Sequence, residues 1–316
     1  MSDNPRTLGQ SVGDPPALAI AGLVKQYAER RVVDALDLVA PLGAVTAVLG
    51  PNGAGKTTTL EICEGLRSGD AGRVEVLGCP PRHPSLRSRV GVMLQEGGVY
   101  GSITVREALR HAASLYRDPQ PVPLLIETLG LGEVANLASR RLSGGQRQRL
   151  GVALAIVGRP ELVFLDEPTA GLDPQSRRAV WDLISALRTA GVSVVLTTHY
   201  LEEAEQLADH VVIVDHGRAI ASGHPRDLVA GSTGVLRFTA PPGLDLERLR
   251  QLMPGASTAV ETSPGAYVVT TTELTEAMGR VSAWCVEVGV TPTSLRSEHR
   301  TLEDVFLELT GEELRP

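Results

Sequence analysis

Short, almost wholly apolar runs recur through the first 230 residues and alternate with longer stretches whose apolar positions return every three or four residues. Val45–Leu49, Leu162–Leu165, Val192–Thr197 and Val211–Val214 are rich in Val, Ile and Leu, the pattern of strands buried on both faces. With helical patterns between them, they predict an α/β domain over residues 17–230 with a largely parallel sheet. No strand pattern occurs between Thr104 and Ile156; Val105–Tyr116 and Leu124–Leu129 read as helices, so a helical subdomain is expected at about 97–158. After Gly231–Gly234 the texture changes. Leu236–Thr239 and Tyr267–Thr271 read as strands, and Leu246–Leu252, Glu273–Trp284 and Leu302–Leu309 as helices, which predicts a small C-terminal α+β domain at 235–316. Its last helix carries its own punctuation, with Thr301 as N-cap, Glu303 and Asp304 in the first turn and Gly311 as the stop. Residues 1–16 are polar, with Gly and Pro, and read as a disordered tail.

Composition narrows the class. At 42% hydrophobic and 21% charged, 316 residues are too apolar for a disordered chain and long enough for two cores. No stretch reaches the roughly 18 uninterrupted apolar residues of a membrane-spanning helix, and the N-terminal segment has no apolar core of a secretory signal. Three scattered cysteines (Cys63, Cys79, Cys285) fit a reducing compartment. The net charge of −7 offers no basic footprint for nucleic acid. Most of it sits from residue 235 onward, where seven basic and twelve acidic residues give −5. Of 30 basic residues only Lys25 and Lys56 are lysine. An arginine bias that spares a lysine marks a place where arginine's planar fork does not suit. Lys56 falls in a phosphate-binding pattern that needs a compact cation; Lys25 has no such reason in the sequence.

Gly50, Pro51, Asn52, Gly53, Ala54, Gly55, Lys56 and Thr57 match the phosphate-binding pattern GxxxxGK[ST], between the strand Val45–Leu49 and a helical run from Thr58 to about Leu66. The glycines let successive N–H groups curl into an anion nest, and the helix N-terminus, with Thr58, adds its dipole. Lys56 reaches the β- and γ-phosphates, and Thr57 offers a hydroxyl to Mg²⁺. Leu162–Leu165 ends in Asp166 and Glu167, where strand C-termini bind ligands. Asp166 suits Mg²⁺ through its water shell, and Glu167 suits a water that attacks. The pattern is that of a P-loop NTPase.

Further residues complete the set. Leu142, Ser143, Gly144, Gly145 and Gln146 (LSGGQ) end 20 residues before Asp166; His199 lies 32 after Glu167; Gln95 lies 39 after Lys56. Gly171-Leu172-Asp173-Pro174 follows Glu167, and Tyr27 precedes the P-loop. In this order they closely resemble the ATP-binding subunits of ABC transporters over residues 18–230. One departure is Gly101, where many relatives carry proline after the tyrosine. Thr301–Gly311, Glu64-Gly-Leu-Arg and Gln95-Glu-Gly-Gly are similar to the daunorubicin-resistance group of exporter ATPases.

The resemblance implies an ATP-sandwich homodimer in which the P-loop of one subunit holds ATP and the LSGGQ of the other closes over its γ-phosphate. It implies that Tyr27 stacks on adenine, that Gln95 contacts Mg²⁺ and senses the γ-phosphate, that Asp173 bridges the two sites, and that His199 positions water beside Glu167. The catalytic set is then Glu167, His199 and Gln95, and the metal set Thr57, Gln95 and Asp166. It further implies a separate polytopic permease docked near Gln95 and Glu96–Val105, a place on the inner face of the cell membrane, and export of a hydrophobic drug or antibiotic-like substrate. A non-transport ABC ATPase is disfavoured, because only 110 residues without heptads separate Lys56 from Asp166. A nucleotide-gated regulatory module with little turnover is disfavoured by the intact Glu167 and His199.

Overall fold

The computed structural model describes residues 15–93, 101–229, 234–255, 257–298 and 301–311; Gln95, the first half of the 96–105 docking segment and all but the end of the 1–16 tail lie outside them. The chain divides into two compact units, one ending at His224 and one beginning at Pro225.

In the first unit, β1 (Leu18–Tyr27) and β2 (Arg30–Ala40) form an antiparallel hairpin. β3 (Val45–Leu49), with all five residues buried, runs into the P-loop and α1 (Lys56–Cys63). β4 (Ala71–Val76) returns to pair with β1, completing a three-stranded sheet of order β2-β1-β4. This antiparallel sheet adds to the largely parallel one that the apolar runs predict. Register shifts along β1, between Ile20 and Leu23 and again around Lys25, break the alternation that would announce it.

β5 (Val90–Met93) leads toward the helical region of α2 (Val105–Ala113), α3 (Val122–Thr128) and α4 (Gly144–Ile156). Thr104 and Glu107 close a capping box on α2, and Ser143 and Gln146 close one on α4. Then come β6 (Leu162–Asp166), α5 (Pro174–Thr189), β7 (Ser193–Thr198), α6 (Leu201–Leu207), β8 (His210–Asp215) and β9 (Arg218–Gly223). The second sheet has order β5-β6-β7-β3-β8-β9, parallel except for β9, which runs antiparallel to β8. Its central strands bury every residue of β3, β6 and β7, as helix-covered parallel strands must. Register sets Asp166 beside Thr197 and Leu49 beside Thr198, so the C-terminal ends of β6, β7 and β3 meet along one edge. Ligands bind α/β sheets at such an edge.

The second unit holds α7 (Pro225–Val229), β10 (Gly234–Thr239), α8 (Leu246–Leu252), β11 (Thr258–Ser263), β12 (Ala266–Thr271), α9 (Leu274–Glu287), β13 (Ser294–Glu298) and α10 (Leu302–Thr310). Its sheet is antiparallel, of order β11-β12-β10-β13. Phe238, Tyr267, Val269, Val281 and Trp284 form its core, with the rings of Phe238 and Tyr267 stacked at 4.9 Å. α10 is capped as the sequence implies: Thr301 shares a capping box with Asp304, and Gly311 takes the left-handed conformation at φ 70°.

Candidate functional site

The P-loop joins β3 to α1 in a turn that tolerates no side chains at two points. A Cβ on Gly50 would lie 2.2 Å from the Val214 carbonyl oxygen. Gly55, the N-cap of α1, has φ 97°, and a Cβ there would lie 2.5 Å from the Val32 carbonyl oxygen of β2. The β1–β2 hairpin therefore packs directly on the loop. Lys56 is only 5% exposed, and its Nζ donates to the carbonyls of Gly50 (2.7 Å) and Pro51 (3.0 Å). The ammonium spans the mouth of the loop and holds its curl. Burial lowers the Lys56 pKa, while the carboxylates of Glu167 and Asp166 act to raise it.

Opposite the loop, Asp166 closes β6. Its Oδ1 accepts a bond from the Thr57 hydroxyl (3.4 Å) and a short one from the Thr197 hydroxyl. Burial raises the Asp166 pKa, and the two threonine hydroxyls act against that rise. The Thr197 oxygen in turn accepts from the Glu167 amide (3.0 Å), so one buried hydroxyl fixes two consecutive acids. Glu167 adopts φ 48°, a left-handed conformation rare for a residue with a side chain. Its carbonyl accepts from Gln148 Nε2 of α4 (2.6 Å) and from the Ala170 amide (3.2 Å). His199 Nδ1 lies 3.4 Å from Glu167 Oε1, and both side chains are largely buried.

The structure thus gathers Lys56, Thr57, Asp166, Glu167 and His199 at one sheet edge. Tyr27 stands at the end of β1, 38% exposed, with Lys25 Nζ 5.3 Å and the Arg67 guanidinium 5.8 Å from its ring centroid. Lys25 also pairs with Asp70 at 2.9 Å, tying the ring to the turn before β4. The LSGGQ residues stand apart, and among the described residues no hydrogen bond or ion pair links Leu142–Gln146 to Gly50–Thr57. Ser143 Oγ accepts the Gln146 amide (3.2 Å), and the Gln146 side chain accepts the Ser143 amide (3.0 Å). The cap thereby uses the third amide of α4 and leaves those of Gly144 and Gly145 at the helix start for an anion. A Cβ on Gly144 would meet nothing within 4 Å in this chain. Asp173 caps α5, accepting from the Gln175 (3.0 Å) and Ser176 (2.9 Å) amides and the Ser176 hydroxyl (2.7 Å). These bonds hold its carboxyl pKa below the usual range.

Sequence reasoning passed over four residues that build this site: Thr197, Gln148, Thr169 and Glu203. Thr197 had a signal, being one of two polar residues closing an otherwise apolar strand just before His199. The others had none, because each lies on a helix or loop whose polar composition reads as solvent-facing. A separate cavity of about 360 Å³ is lined by Cys63, Glu64, Arg82, His83, Leu86 and Arg87, among others. Burial, with the nearby charges of Asp166 and Glu61, pushes the Glu64 pKa up to about 8.

The family model described as "ABC transporter" matches residues 33–170. The "Nod factor export ATP-binding protein I" of Ralstonia nicotianae is 37% identical over 97% of this chain and 98% of its own length. The "Daunorubicin/doxorubicin resistance ATP-binding protein DrrA" of Streptomyces peucetius is 38% identical over 93% of this chain and 92% of its own. A solved ATP-binding subunit of an ABC transporter superposes with a TM-score of 0.62 at 27% identity, covering 67% of this chain and 91% of the other.

Proposed function

As a member of the ABC transporter family, this chain is an ATP-binding and ATP-hydrolysing subunit of the exporter type, and we propose that it drives a separate membrane permease through an ATP-sandwich homodimer. Among the described residues no helix is long and apolar enough to cross a membrane, which supports a permease on another polypeptide; the place we assign to this chain is peripheral, on the inner face of the cell membrane. The substrate class we assign is a hydrophobic drug or antibiotic-like molecule, after the relatives named for daunorubicin resistance.

The observation that carries the hydrolytic part is the approach of His199 to Glu167 directly beyond the P-loop. With ATP in the loop, the Gly53 to Thr58 backbone cradles the phosphates, and Lys56 turns its ammonium from Gly50 and Pro51 toward the β- and γ-phosphates. Glu167 orients a water in line with the γ-phosphorus and takes its proton as the new P–O bond forms and the bond to the β-bridging oxygen breaks. His199 holds Glu167 and the γ-phosphate together. Tyr27, braced by Lys25, offers its ring to adenine. Mg²⁺ fits the oxygen-only pair of Thr57 and Asp166, whose atoms already converge to 3.4 Å, with Gln95 as the further ligand; when bound it neutralises phosphate charge.

Ser143, Gly144 and Gly145 serve the γ-phosphate of the partner subunit. The spare amides at the start of α4 and the open space over Gly144 support this, since nothing within the chain requires glycine there. Asp173 ties the two sites together from the cap of α5. Inverted vesicles carrying the chain and its permease should accumulate a hydrophobic drug such as daunorubicin only with hydrolysable ATP. Accumulation that persists with Glu167→Gln would overturn the reading.

A further inference from the structure

Glu203 is completely buried on α6, four residues beyond His199. Its Oε1 accepts two bonds at 3.0 Å, one from the Thr169 hydroxyl and one from the Trp181 indole N–H. Thr169, itself fully buried, lies two residues after Glu167, and Trp181 belongs to α5, the helix that Asp173 caps. The Thr198 hydroxyl, adjacent to His199, and the Arg177 charge also favour the carboxylate, whose pKa burial raises. Arg177 in turn lies 4.4 Å from the Tyr200 ring centroid. One carboxylate thus receives donors from the loop after Glu167 and from α5, and α6, which carries it, begins two residues after His199.

Burying an acid costs desolvation that a leucine on the same helix face would avoid, so packing alone gives no reason for it. Directional bonds do, because only an acceptor can hold three elements at fixed distances. We propose that Glu203 is a positioning residue for hydrolysis, clamping the Glu167 loop to the His199 loop so that the two side chains meet across 3.4 Å. It touches neither nucleotide nor water and acts through its neighbours. Glutamine at this position keeps an oxygen acceptor for Thr169 and Trp181; alanine leaves both donors unpaired and the loops untied.

The inference rests on the catalytic reading of Glu167, so the experiment includes that control. ATP hydrolysis and nucleotide binding are measured for the chain with its membrane partner, as wild type, Glu167→Gln, Glu203→Ala, Glu203→Gln and Thr169→Val. If Glu167→Gln hydrolyses ATP normally, the catalytic reading fails. With that control inactive, Glu203→Ala should lower kcat by about tenfold or more with KM for ATP within about twofold, and Glu203→Gln should restore most of it. A wild-type kcat in Glu203→Ala, a matching rise in KM, or a Glu203→Gln as slow as alanine overturns the proposal. Should Glu203→Ala not fold, Thr169→Val removes one bond without changing size. It should also lower kcat at constant KM, and an unchanged kcat there overturns the proposal equally.

Discussion

Glu167 faces His199 across 3.4 Å from a backbone held at φ 48°, while the Thr197 hydroxyl secures its amide at 3.0 Å. A left-handed glutamate costs conformational energy that the bonds around it must offset, and such strain concentrates where a side chain has to be aimed. Strand β6 points along the sheet, and the turn at Glu167 swings its carboxylate from the strand axis toward the P-loop edge.

Replacing that carboxylate by its amide keeps the shape and removes the base. Glu167→Gln should lower turnover by about 10²–10⁴-fold, the range of a lost general base, with ATP affinity retained. Steady-state phosphate release and fluorescent-nucleotide binding check the two halves.

Lys56→Arg preserves charge in a buried slot shaped for a point ammonium between two carbonyls. Nucleotide affinity should fall by at least about tenfold, on the order of 1.4 kcal/mol. Equilibrium binding of ATP measures it, and an affinity equal to wild type would show that the slot accepts the broader guanidinium.

Thr197→Val is isosteric but strips buried Asp166 of a donor and the partly buried Glu167 amide of its acceptor. The unsatisfied partners should cost about 1–3 kcal/mol of stability, and kcat should fall as Glu167 loses its anchor. Denaturant melts and initial rates are the measurements.

The proposed sandwich sets a second copy against the spare amides of α4. With Glu167→Gln trapping ATP, light scattering should register a dimer that dissociates when ATP is replaced by ADP. A monomer at every protein concentration with ATP would count against the sandwich.

Glu64, with a pKa raised to about 8 in the folded chain from an ordinary value near 4.5, binds its proton more tightly folded than unfolded. Stability from this group is therefore intact below about pH 4.5 and declines as pH rises through about 8. Without nucleotide and Mg²⁺, Glu64→Gln should melt with wild type at pH 5 and above it at pH 9. Equal Tm values at pH 9 would show that the carboxyl ionises at no cost.

The parallel core was legible in the sequence because strands covered on both faces need unbroken apolar runs, and VTAVL, LVFLD and VVIV supply them. Lys56, Asp166 and His199 were legible as candidates because each stands at or shortly after the C-terminal end of β3, β6 or β7. β1 was hidden by its register shifts, β9 and β11 by the polar alternation of edge strands, and β13 by its largely polar sequence SLRSE. Glu203 was hidden more thoroughly. In LEEAEQL three glutamates look alike, and only the fold tells which one turns inward to meet Thr169 and Trp181. The partners of Lys25 were hidden the same way, a ring and an aspartate that the folded β1 brings beside it.

On the proposed function both lysine side chains of the chain belong to the nucleotide site, Lys56 under the phosphate loop and Lys25 beside the Tyr27 ring. Amine chemistry on this protein is almost site-directed by composition. An acylating reagent that modifies a side-chain amine reports on occupancy of the site, and lysine-based cross-linking or surface immobilisation has no neutral place to attach.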